Sequence, residues 1–316
     1  MRSSFFVARL PGGIGNQLFS LFASRYISQE TGLINYLDFR GIDYSHHAQK
    51  YDISDFQLKN HEAILHVKYD RKFYFRTILE LEKFKHRTSQ YFPSLKSLLR
   101  LHQLHLEPFT SPSVSCAIDR MKVGTGLPLF SSISGYFPDF SFFDHLKSPS
   151  DRLLSISQVS SLFKNFEQQL SVRRILAVHV RLKDYLLHPD SIGNLSDAYF
   201  LNCINLAFSY QNYEEVWIFS DSPREARTRL SFLTRDRAVR FIGIDEFLTP
   251  IEELLLLQKC SGIICSNSTF SFWAAKFMTE VDPSSMVFIP SSFRKDDTAR
   301  VFGLPPQWIS CPPYWL

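Results

Sequence analysis

An apolar run interrupted only by one histidine, ILAVHV, occupies Ile175–Val180. Its length and aliphatic content are typical of a strand that is buried on both faces. A segment with helical spacing follows over Asp197–Tyr210, and a second apolar run, VWIF, occupies Val216–Phe219. Strands that alternate with helices in this way indicate a parallel sheet built from β-α-β units.

The alternation continues toward the C-terminus. A helix is predicted to begin after Asp221-Ser222-Pro223, because N-cap residues followed by proline favour a first helical turn. The remaining predicted elements are strands at 239–242, 262–265 and 286–289 and helices at 250–259 and 270–278. Five strands with intervening helices predict an α/β fold with a doubly wound sheet, in which ligands bind at the carboxyl ends of the strands.

The N-terminal half opens with a strand, a glycine-rich turn and a helix. The strand is predicted at residues 4–10, the helix over about 16–30, and a second strand at Tyr36–Asp38. Residues 60–150 contain several prolines and are predicted to be helical and loop-like. The domain boundary is placed near residue 160, which gives an N-terminal domain of 1–160 and a C-terminal domain of 161–316.

Composition excludes several classes of protein. With 316 residues, 45% of them hydrophobic, the chain can bury a core and is not globally disordered. The first apolar stretch is broken by Arg9 and Pro11, so neither a signal peptide nor a spanning helix is predicted, and a cytoplasmic location is expected. The five cysteines lack the paired spacing of a zinc site or a disulfide framework, so no metal site is predicted.

The net charge of +4 is concentrated in one segment. Residues 68–107 hold nine Lys and Arg against four acidic residues, with aromatic residues interleaved. No nucleic-acid-binding module accompanies this segment, so no nucleic-acid partner is expected and a solvated helical face is the preferred interpretation. The alternative is contact with a lipid-linked acceptor or with the anionic inner face of a membrane, to which the protein would bind peripherally.

Three polar segments follow predicted strands of the second half. The first contains His179 and Arg181, and a strand-end arginine either binds a diphosphate with its fork of donors or forms a structural salt bridge. At the end of the next strand, Asp221 either accepts hydrogen bonds from guanine or caps the following helix. The third segment, Asn267-Ser268-Thr269-Phe270, precedes a helix and forms either an anion site or an ordinary N-cap.

The glycine-rich turn of the first half reads Gly12-Gly13-Ile14-Gly15-Asn16. Its glycines do not fit the G-x-G-x-x-G spacing of a dinucleotide site, and the turn lacks the lysine of a P-loop. No NAD, FAD or other cofactor is therefore expected. Glycines at these positions allow close approach of the backbone to a ligand, which we interpret as a sugar.

Five segments together resemble the signatures of one family. The family patterns are GGxGNQLF, GYF, HVRRGDY, FSDD and SNSTFSWWAA, and the matching segments here are GGIGNQLF at 12–19, GYF at 135–137, HVRLKDY at 179–185, FSD at 219–221 and SNSTFSFWAA at 266–275. All five occur in family order. The sequence is therefore identified as a member of glycosyltransferase family 11, the α1,2-fucosyltransferases.

The resemblance implies a GT-B-type fold with two Rossmann-like domains facing a cleft. It also implies GDP-β-L-fucose as the donor substrate, inversion at the transferred sugar, no required metal, and an oligosaccharide acceptor, expected at O2 of a terminal β-galactoside. The site residues carried over are Arg181 for the departing diphosphate, His179 and Asp221 for guanosine, Asn267, Ser268, Thr269 and Phe270 for the phosphate-binding turn, and Gly13 and Asn16 for the fucose and acceptor.

The donor motif departs from the family pattern at two positions. Leu182 replaces the second arginine and Lys183 replaces the glycine, and a compact ammonium does not substitute for a guanidinium fork. Asp184 is the nearest carboxylate and is the candidate base, although it could instead orient Arg181 or cap a turn. The alternative functions are fucosyl transfer with a different linkage and non-catalytic binding of a sugar nucleotide or glycan.

Overall fold

The strands of the computed structural model form two parallel sheets. The structure describes residues 5–10, 12–38, 62–65, 101–105, 130–134, 137–148, 152, 156, 158–244 and 247–316. The chain divides into two compact units, with the division between Leu154 and Ser155 and with Pro138–Phe140 assigned to the second unit. The α/β class and the parallel pairing predicted from the sequence are confirmed.

The first unit contains a sheet of strand order β3-β2-β1-β5-β4, in which every pairing is parallel. Its elements are β1 (Phe5–Arg9), α1 (Ile14–Thr31), β2 (Ile34–Asp38), β3 (Glu62–Leu65), β4 (Leu101–His105), β5 (Phe130–Ser134) and α2 (Ser141–Asp144).

The prediction that residues 60–150 are helical and loop-like is wrong for three strands of this sheet. All three strands have only four or five residues, and polar residues make up most of β4 and β5, so none of them shows the long apolar run of a buried strand. In β4 the leucines at 101 and 104 also have helical spacing. Pairing with β5 along the whole of β4 overrides this local preference.

Helix α1 is buried along most of its length, from Ile14 to Ile27. It begins after a turn in which Gly12 has φ of +67°, a conformation that favours glycine. The buried amide of Gln17 donates from Nε2 to the Gly12 carbonyl (2.8 Å), which fastens the helix to this turn. The helix ends at Gly32, whose left-handed φ of +71° lets its N–H bond the Ser28 carbonyl.

The second unit contains a parallel sheet of order β11-β10-β9-β6-β7-β8. Its strands are β6 (Ile175–Val180), β7 (Glu215–Ser220), β8 (Val239–Phe241), β9 (Gly262–Ile264), β10 (Met286–Pro290) and β11 (Ile309–Cys311). Its helices are α3 (Ser161–Val172), α4 (Asp197–Tyr210), α5 (Pro223–Leu230), α6 (Pro250–Leu257) and α7 (Thr269–Val281), with 3-10 helices at Lys183–Leu187 and Ser231–Arg235.

If β6 to β11 are renumbered 1 to 6 along the chain, the order of strands across the sheet is 3-2-1-4-5-6. This is the order of a doubly wound dinucleotide-binding type of fold. Every residue of β6 is buried, as its apolar run predicts, and α4 buries the predicted stripe of Tyr199, Phe200, Cys203, Ile204 and Ala207. The edge strand β11 was not predicted. It has three residues, too few for a hydrophobic pattern to stand out.

The segment Pro138–Phe140 joins the second unit through both backbone and aromatic contacts, which the predicted boundary near 160 did not anticipate. Phe140 donates its N–H to the Phe302 carbonyl (3.0 Å), and Phe302 donates to the Pro138 carbonyl (2.7 Å). The Phe140 ring lies edge-on to Trp273, with ring centroids 4.8 Å apart. These contacts fix a short piece of the N-terminal half in the core of the second unit.

In the part of the chain that the structure describes, no helix is long and apolar enough to cross a membrane. The basic segment at 68–107 lies outside the described residues, apart from the backbone of β4. The membrane-surface contact considered for that segment therefore stays a prediction.

Candidate active site

The candidate site lies at the carboxyl ends of β6, β7 and β9. The strand order of the second sheet reverses between β6 and β9, and in doubly wound sheets a ligand crevice forms outside the carboxyl ends of the strands at such a point. Of the predicted residues, His179 lies near the end of β6, and Arg181, Asp221 and Asn267 follow the three strands. The structure brings their side chains or backbone into one connected network.

Arg181 is restrained on two sides. Its Nε lies 3.2 Å from Asp221 Oδ2, and its guanidinium lies 5.5 Å from the centre of the Tyr185 ring, within cation–π range. One quarter of the Arg181 side chain remains exposed, whereas that of Asp221 is almost fully buried. The geometry therefore presents a held guanidinium that a ligand can still reach.

Asp221 joins the ends of β6 and β7. While Oδ2 faces Arg181, Oδ1 accepts the Leu182 N–H at 2.9 Å. Helix α5 begins after Ser222, whose own side chain makes no capping hydrogen bond. The Asp221 carboxylate fixes the segment that carries Arg181.

His179 is buried beside the turn that follows β9. Its Nδ1 lies 2.8 Å from Ser266 Oγ, and its ring is 5.5 Å from that of Phe270. Burial, followed by the positive charge of Arg181, lowers the pKa of His179 to about 3. The imidazole is therefore neutral at physiological pH and carries one N–H donor and one acceptor nitrogen.

The turn between β9 and α7 holds the remaining predicted phosphate-site residues. Ser268 is the N-cap of α7 and Thr269 is its first residue, but the Ser268 side chain accepts no capping hydrogen bond. The N-terminal amides of α7 therefore begin at this edge of the sheet, where a helix favours an anion.

Asn267 lies in the predicted turn, and its side chain is bonded to protein groups. Its buried Nδ2 donates to the carbonyls of Gly193 (3.2 Å) and Ile192 (3.4 Å), and its own carbonyl accepts the Tyr185 hydroxyl (2.9 Å). The Asn267 side chain thus binds a neighbouring loop of the protein, and we assign it to holding that loop.

The two departures from the family pattern face different environments. Leu182 is completely buried in the apolar core of the second unit, while Lys183 is exposed at the start of the 3-10 helix Lys183–Leu187. A buried leucine cannot take over the role of an arginine toward a diphosphate. Asp184 lies in the same 3-10 helix, and its side chain is outside the described residues.

Glu253 on α6 was missed by the sequence reasoning. Burial, followed by the negative charge of Asp221, raises the pKa of its carboxyl to about 8, and the positive charge of Lys183 opposes this rise. One charge of the donor motif, on Lys183, and one of the FSD segment, on Asp221, therefore act on it. The signal was weak because Glu253 stands directly before the run LLLL of an amphipathic helix, where an acidic residue is usually a solvated one.

Gly13 and Asn16 belong to the first unit. Gly13 is the N-cap of α1, and both Asn16 and Gln17 donate their N–H groups to its carbonyl (3.0 Å each). A β-carbon built on Gly13 meets no atom of the described residues within 4 Å. With respect to those residues, the backbone has open space at this turn. Of the predicted GYF segment, Phe137 is buried and the other two residues lie outside the described residues.

Comparison with known proteins gives a family match and several more distant likenesses. The profile described as Glycosyl transferase family 11 matches residues 119–298. The O-antigen biosynthesis glycosyltransferase WbnK of Escherichia coli is 22% identical over 299 residues, which cover 86% of this chain and 90% of that protein.

Among solved structures, fucosyltransferase NodZ from Bradyrhizobium is 16% identical with a TM-score of 0.46, covering 87% of this chain and 93% of that one. POFUT1 in complex with GDP is 12% identical with a TM-score of 0.48, covering 90% and 98%. FUT1 of Arabidopsis thaliana in complex with GDP is 11% identical with a TM-score of 0.47, covering 88% and 69%.

Proposed function

Because this chain belongs to glycosyl transferase family 11, we propose that it moves L-fucose from GDP-β-L-fucose to a hydroxyl of an oligosaccharide. The expected acceptor position is O2 of a terminal β-galactoside, with no metal ion required. The observation that carries the proposal is Arg181, a partly exposed guanidinium held by Asp221 and Tyr185 at the carboxyl edge of the sheet.

The proposed role of Arg181 is to stabilise the departing GDP. As the bond between fucose C1 and the β-phosphate oxygen breaks, negative charge grows on that phosphate. A guanidinium that is already oriented by an ion pair and a ring contact needs little reorganisation to meet this charge. The N-terminus of α7, with Ser268 and Thr269, supplies backbone donors to the same diphosphate.

Recognition of guanosine is assigned to His179 and Glu253. The neutral imidazole of His179 offers one donor and one acceptor. Glu253, whose raised pKa keeps it protonated in the empty site at neutral pH, would lose that proton on binding and accept from the N1–H and the exocyclic amine of guanine. The carboxylate of Asp221 already binds Arg181 and the Leu182 N–H, so we move Asp221 from guanosine recognition to the positioning of Arg181.

Inversion requires the acceptor oxygen to bond to C1 on the face opposite the departing phosphate, while the hydroxyl proton leaves. The base is proposed to be Asp184, three residues beyond Arg181 in the donor motif. On the acceptor side, Gly13 and Asn16 are proposed to contact the sugars, since the backbone at Gly13 faces open space.

The test is a transfer assay with GDP-fucose and a panel of β-galactosides in the presence of EDTA. Acceptor-dependent release of GDP that falls at least about a hundredfold in Arg181→Ala is the expected result. A 2-linked fucosyl galactose in the product would establish the linkage. If the protein does not bind GDP-fucose, the donor assignment is wrong.

The second candidate function is binding of a sugar nucleotide without turnover. It is favoured by Leu182, which is buried in the core where the family pattern has a second arginine. Normal affinity for GDP-fucose, with no GDP released by any acceptor of the panel, would select this alternative.

A further inference from the structure

The segment Tyr314–Leu316 forms a short antiparallel ladder with Asn194–Ser196. The Ser196 N–H donates to the Tyr314 carbonyl (2.8 Å) and the Leu316 N–H donates to the Asn194 carbonyl (2.9 Å), with Leu195 and Trp315 paired between them. The ladder holds one side of the loop at residues 188–196, which we call the 188–196 loop.

Trp315 lies directly against the backbone of this loop at Gly193. Gly193 has φ of +75°, and a β-carbon there would lie 2.9 Å from Trp315 Cε3 and 2.8 Å from Lys295 Cβ. The indole and the lysine stem therefore occupy the space where any other residue would place a side chain. This contact fixes the position of the Gly193 peptide.

The other side of the 188–196 loop holds the donor-site residues. The Gly193 carbonyl accepts from Asn267, the Asn267 carbonyl accepts from the Tyr185 hydroxyl, and the Tyr185 ring lies under the Arg181 guanidinium. A continuous series of contacts thus runs from Trp315 to Arg181.

A second route to Arg181 passes through Asn194. In the orientation that satisfies both of its neighbours, the Asn194 amide donates to the Arg181 carbonyl (3.2 Å) and accepts from the Leu186 N–H (3.3 Å). The 188–196 loop therefore restrains both the backbone and, through Tyr185, the side chain of Arg181.

The backbone at Tyr314 is strained. Its φ is +44°, a left-handed conformation that is unfavourable for a residue with a β-carbon. Strain of this kind persists where surrounding contacts determine the conformation. Here the left-handed residue directly precedes the one whose ring covers Gly193.

We propose that Trp315 is a positioning residue for the donor site. By covering Gly193 it fixes the 188–196 loop, and through Asn267 and Tyr185 it sets the orientation of Arg181. This inference rests on the proposed function, because it assigns the orientation of Arg181 a role in donor use.

The test compares Trp315→Ala with Trp315→Phe and with Tyr314→Gly. For Trp315→Ala, kcat/KM for GDP-fucose is expected to fall about tenfold to a hundredfold, while KM for the acceptor stays unchanged. Trp315→Phe keeps a flat ring on Gly193 and is expected to restore most of the activity. Tyr314→Gly is the matched control, since it keeps the backbone ladder and relieves the left-handed strain, and it is expected to retain wild-type kinetics.

Trp315 also packs against the core of the second unit, so Trp315→Ala could fail to fold. Gly193→Ala approaches the same contact from the loop side and leaves the indole in the core. A loss of donor kcat/KM in Gly193→Ala supports the proposal. Wild-type donor kinetics in a folded Trp315→Ala or Gly193→Ala would overturn it.

Amide hydrogen exchange separates this inference from the proposed function. If the wild-type protein transfers no fucose, the proposed function fails, but Trp315→Ala is still expected to speed exchange in residues 181–196 and to weaken GDP binding in calorimetry. Unchanged exchange in that segment would overturn the positioning role, whatever the activity.

Discussion

Asp221 uses its two carboxylate oxygens on different partners, the guanidinium of Arg181 and the N–H of Leu182. The ion pair with Arg181 requires the negative charge of the carboxylate. The hydrogen bond from the Leu182 N–H requires only an acceptor oxygen. A single substitution of Asp221 can therefore remove its charge and keep its hydrogen bond to the Leu182 N–H.

Asp221→Asn keeps an oxygen for the Leu182 N–H and removes the charge opposite Arg181. We expect kcat/KM for GDP-fucose to fall about tenfold to a hundredfold, because the guanidinium loses its orientation. Steady-state kinetics measure the effect. The matched control is Asp197→Asn, which breaks the ion pair of Asp197 with Arg229 in the same unit. Equal losses in the two variants would contradict the positioning role of Asp221.

Gly13→Ala tests whether a ligand approaches the first turn. Gly13 has φ of −76° and open space around its missing β-carbon, so alanine fits the backbone. The free energy of unfolding is expected to change by less than about 1 kcal/mol, measured by urea unfolding, because the lower entropy of the unfolded chain opposes the loss of a favourable N-cap glycine. Activity is expected to fall, since the methyl group enters the space proposed for the sugar. Unchanged kinetics with every acceptor would remove Gly13 from the site.

Glu253→Gln tests whether the half-buried carboxyl of Glu253 makes stability depend on pH. The pKa of Glu253 is raised from 4.5 to about 8 by burial first and then by Asp221. Between these values the folded protein holds a proton that the unfolded chain has released, so stability is lost as pH rises through this window. The variant is expected to be more stable than wild type at pH 8 and to show no such advantage at pH 4.5, measured as the thermal midpoint.

His179 makes stability depend on pH in the acid range. Because it is present in both wild type and Glu253→Gln, its effect serves as an internal control. Its lowered pKa means that the unfolded chain binds a proton below its ordinary value of 6.5 while the folded chain stays neutral down to about 3. Stability is therefore lost as pH falls through this range, and both proteins should share this loss. An advantage of Glu253→Gln that is constant across pH would show that the carboxyl does not titrate as described.

At the scale of elements, α3 and α6 are tied together at their N-termini. Thr249 and Glu252 form a reciprocal capping box on α6, and Glu252 Oε1 also accepts the N–H of Ser160, the N-cap of α3. The burial of Glu252 is thus matched by hydrogen bonds that lower its pKa. One carboxylate organises the starts of two helices.

Thr249→Ala removes the capping hydroxyl of α6. The expected loss is about 1 kcal/mol in the free energy of unfolding, measured by urea denaturation. Ser222→Ala is the matched control, because Ser222 is the N-cap of α5 and its side chain accepts no capping hydrogen bond. Comparable losses in both variants would show that the capping box is not the cause.

The elements that could be predicted are those whose sequence pattern is local. The run at Ile175–Val180 and the stripe of α4 follow from periodicity, and the site residues follow from their positions at strand ends. β3, β4 and β5 could not be found this way, since pairing with neighbouring strands determines them. Glu253 reaches the site only through the packing of α6, which no local pattern records.

At the scale of the whole chain, the sheet of the second unit has different features at the two ends of its strands. The candidate site lies at the carboxyl ends. Near the amino edge, Arg174, Ser261 and Ser285, which precede β6, β9 and β10, line a cavity of about 690 Å³ together with the end of α7. A ligand that binds at the donor site should therefore affect one edge of the sheet and leave the other unchanged.

GDP at about one hundred times its Kd is expected to stabilise the second unit by about 2.7 kcal/mol. Hydrogen exchange should slow in the segments after β6, β7 and β9, at residues 181–187, 221–222 and 266–270. At Arg174, Ser261 and Ser285 exchange should slow no more than the general stabilisation of the unit requires. Protection at the amino edge instead would relocate the nucleotide and contradict the assignment of Arg181.

The burial of Leu182 has a consequence for protein engineering that uses the sequences of related proteins. Consensus design would restore arginine here, because the family pattern has a second arginine at this position. The leucine side chain is, however, completely buried in the hydrophobic core of the second unit. An arginine would carry an unpaired charge into that core, at a cost of several kcal/mol. Introducing the family's arginine here as a single substitution is therefore expected to lower the yield of folded protein, unless the surrounding core is redesigned with it.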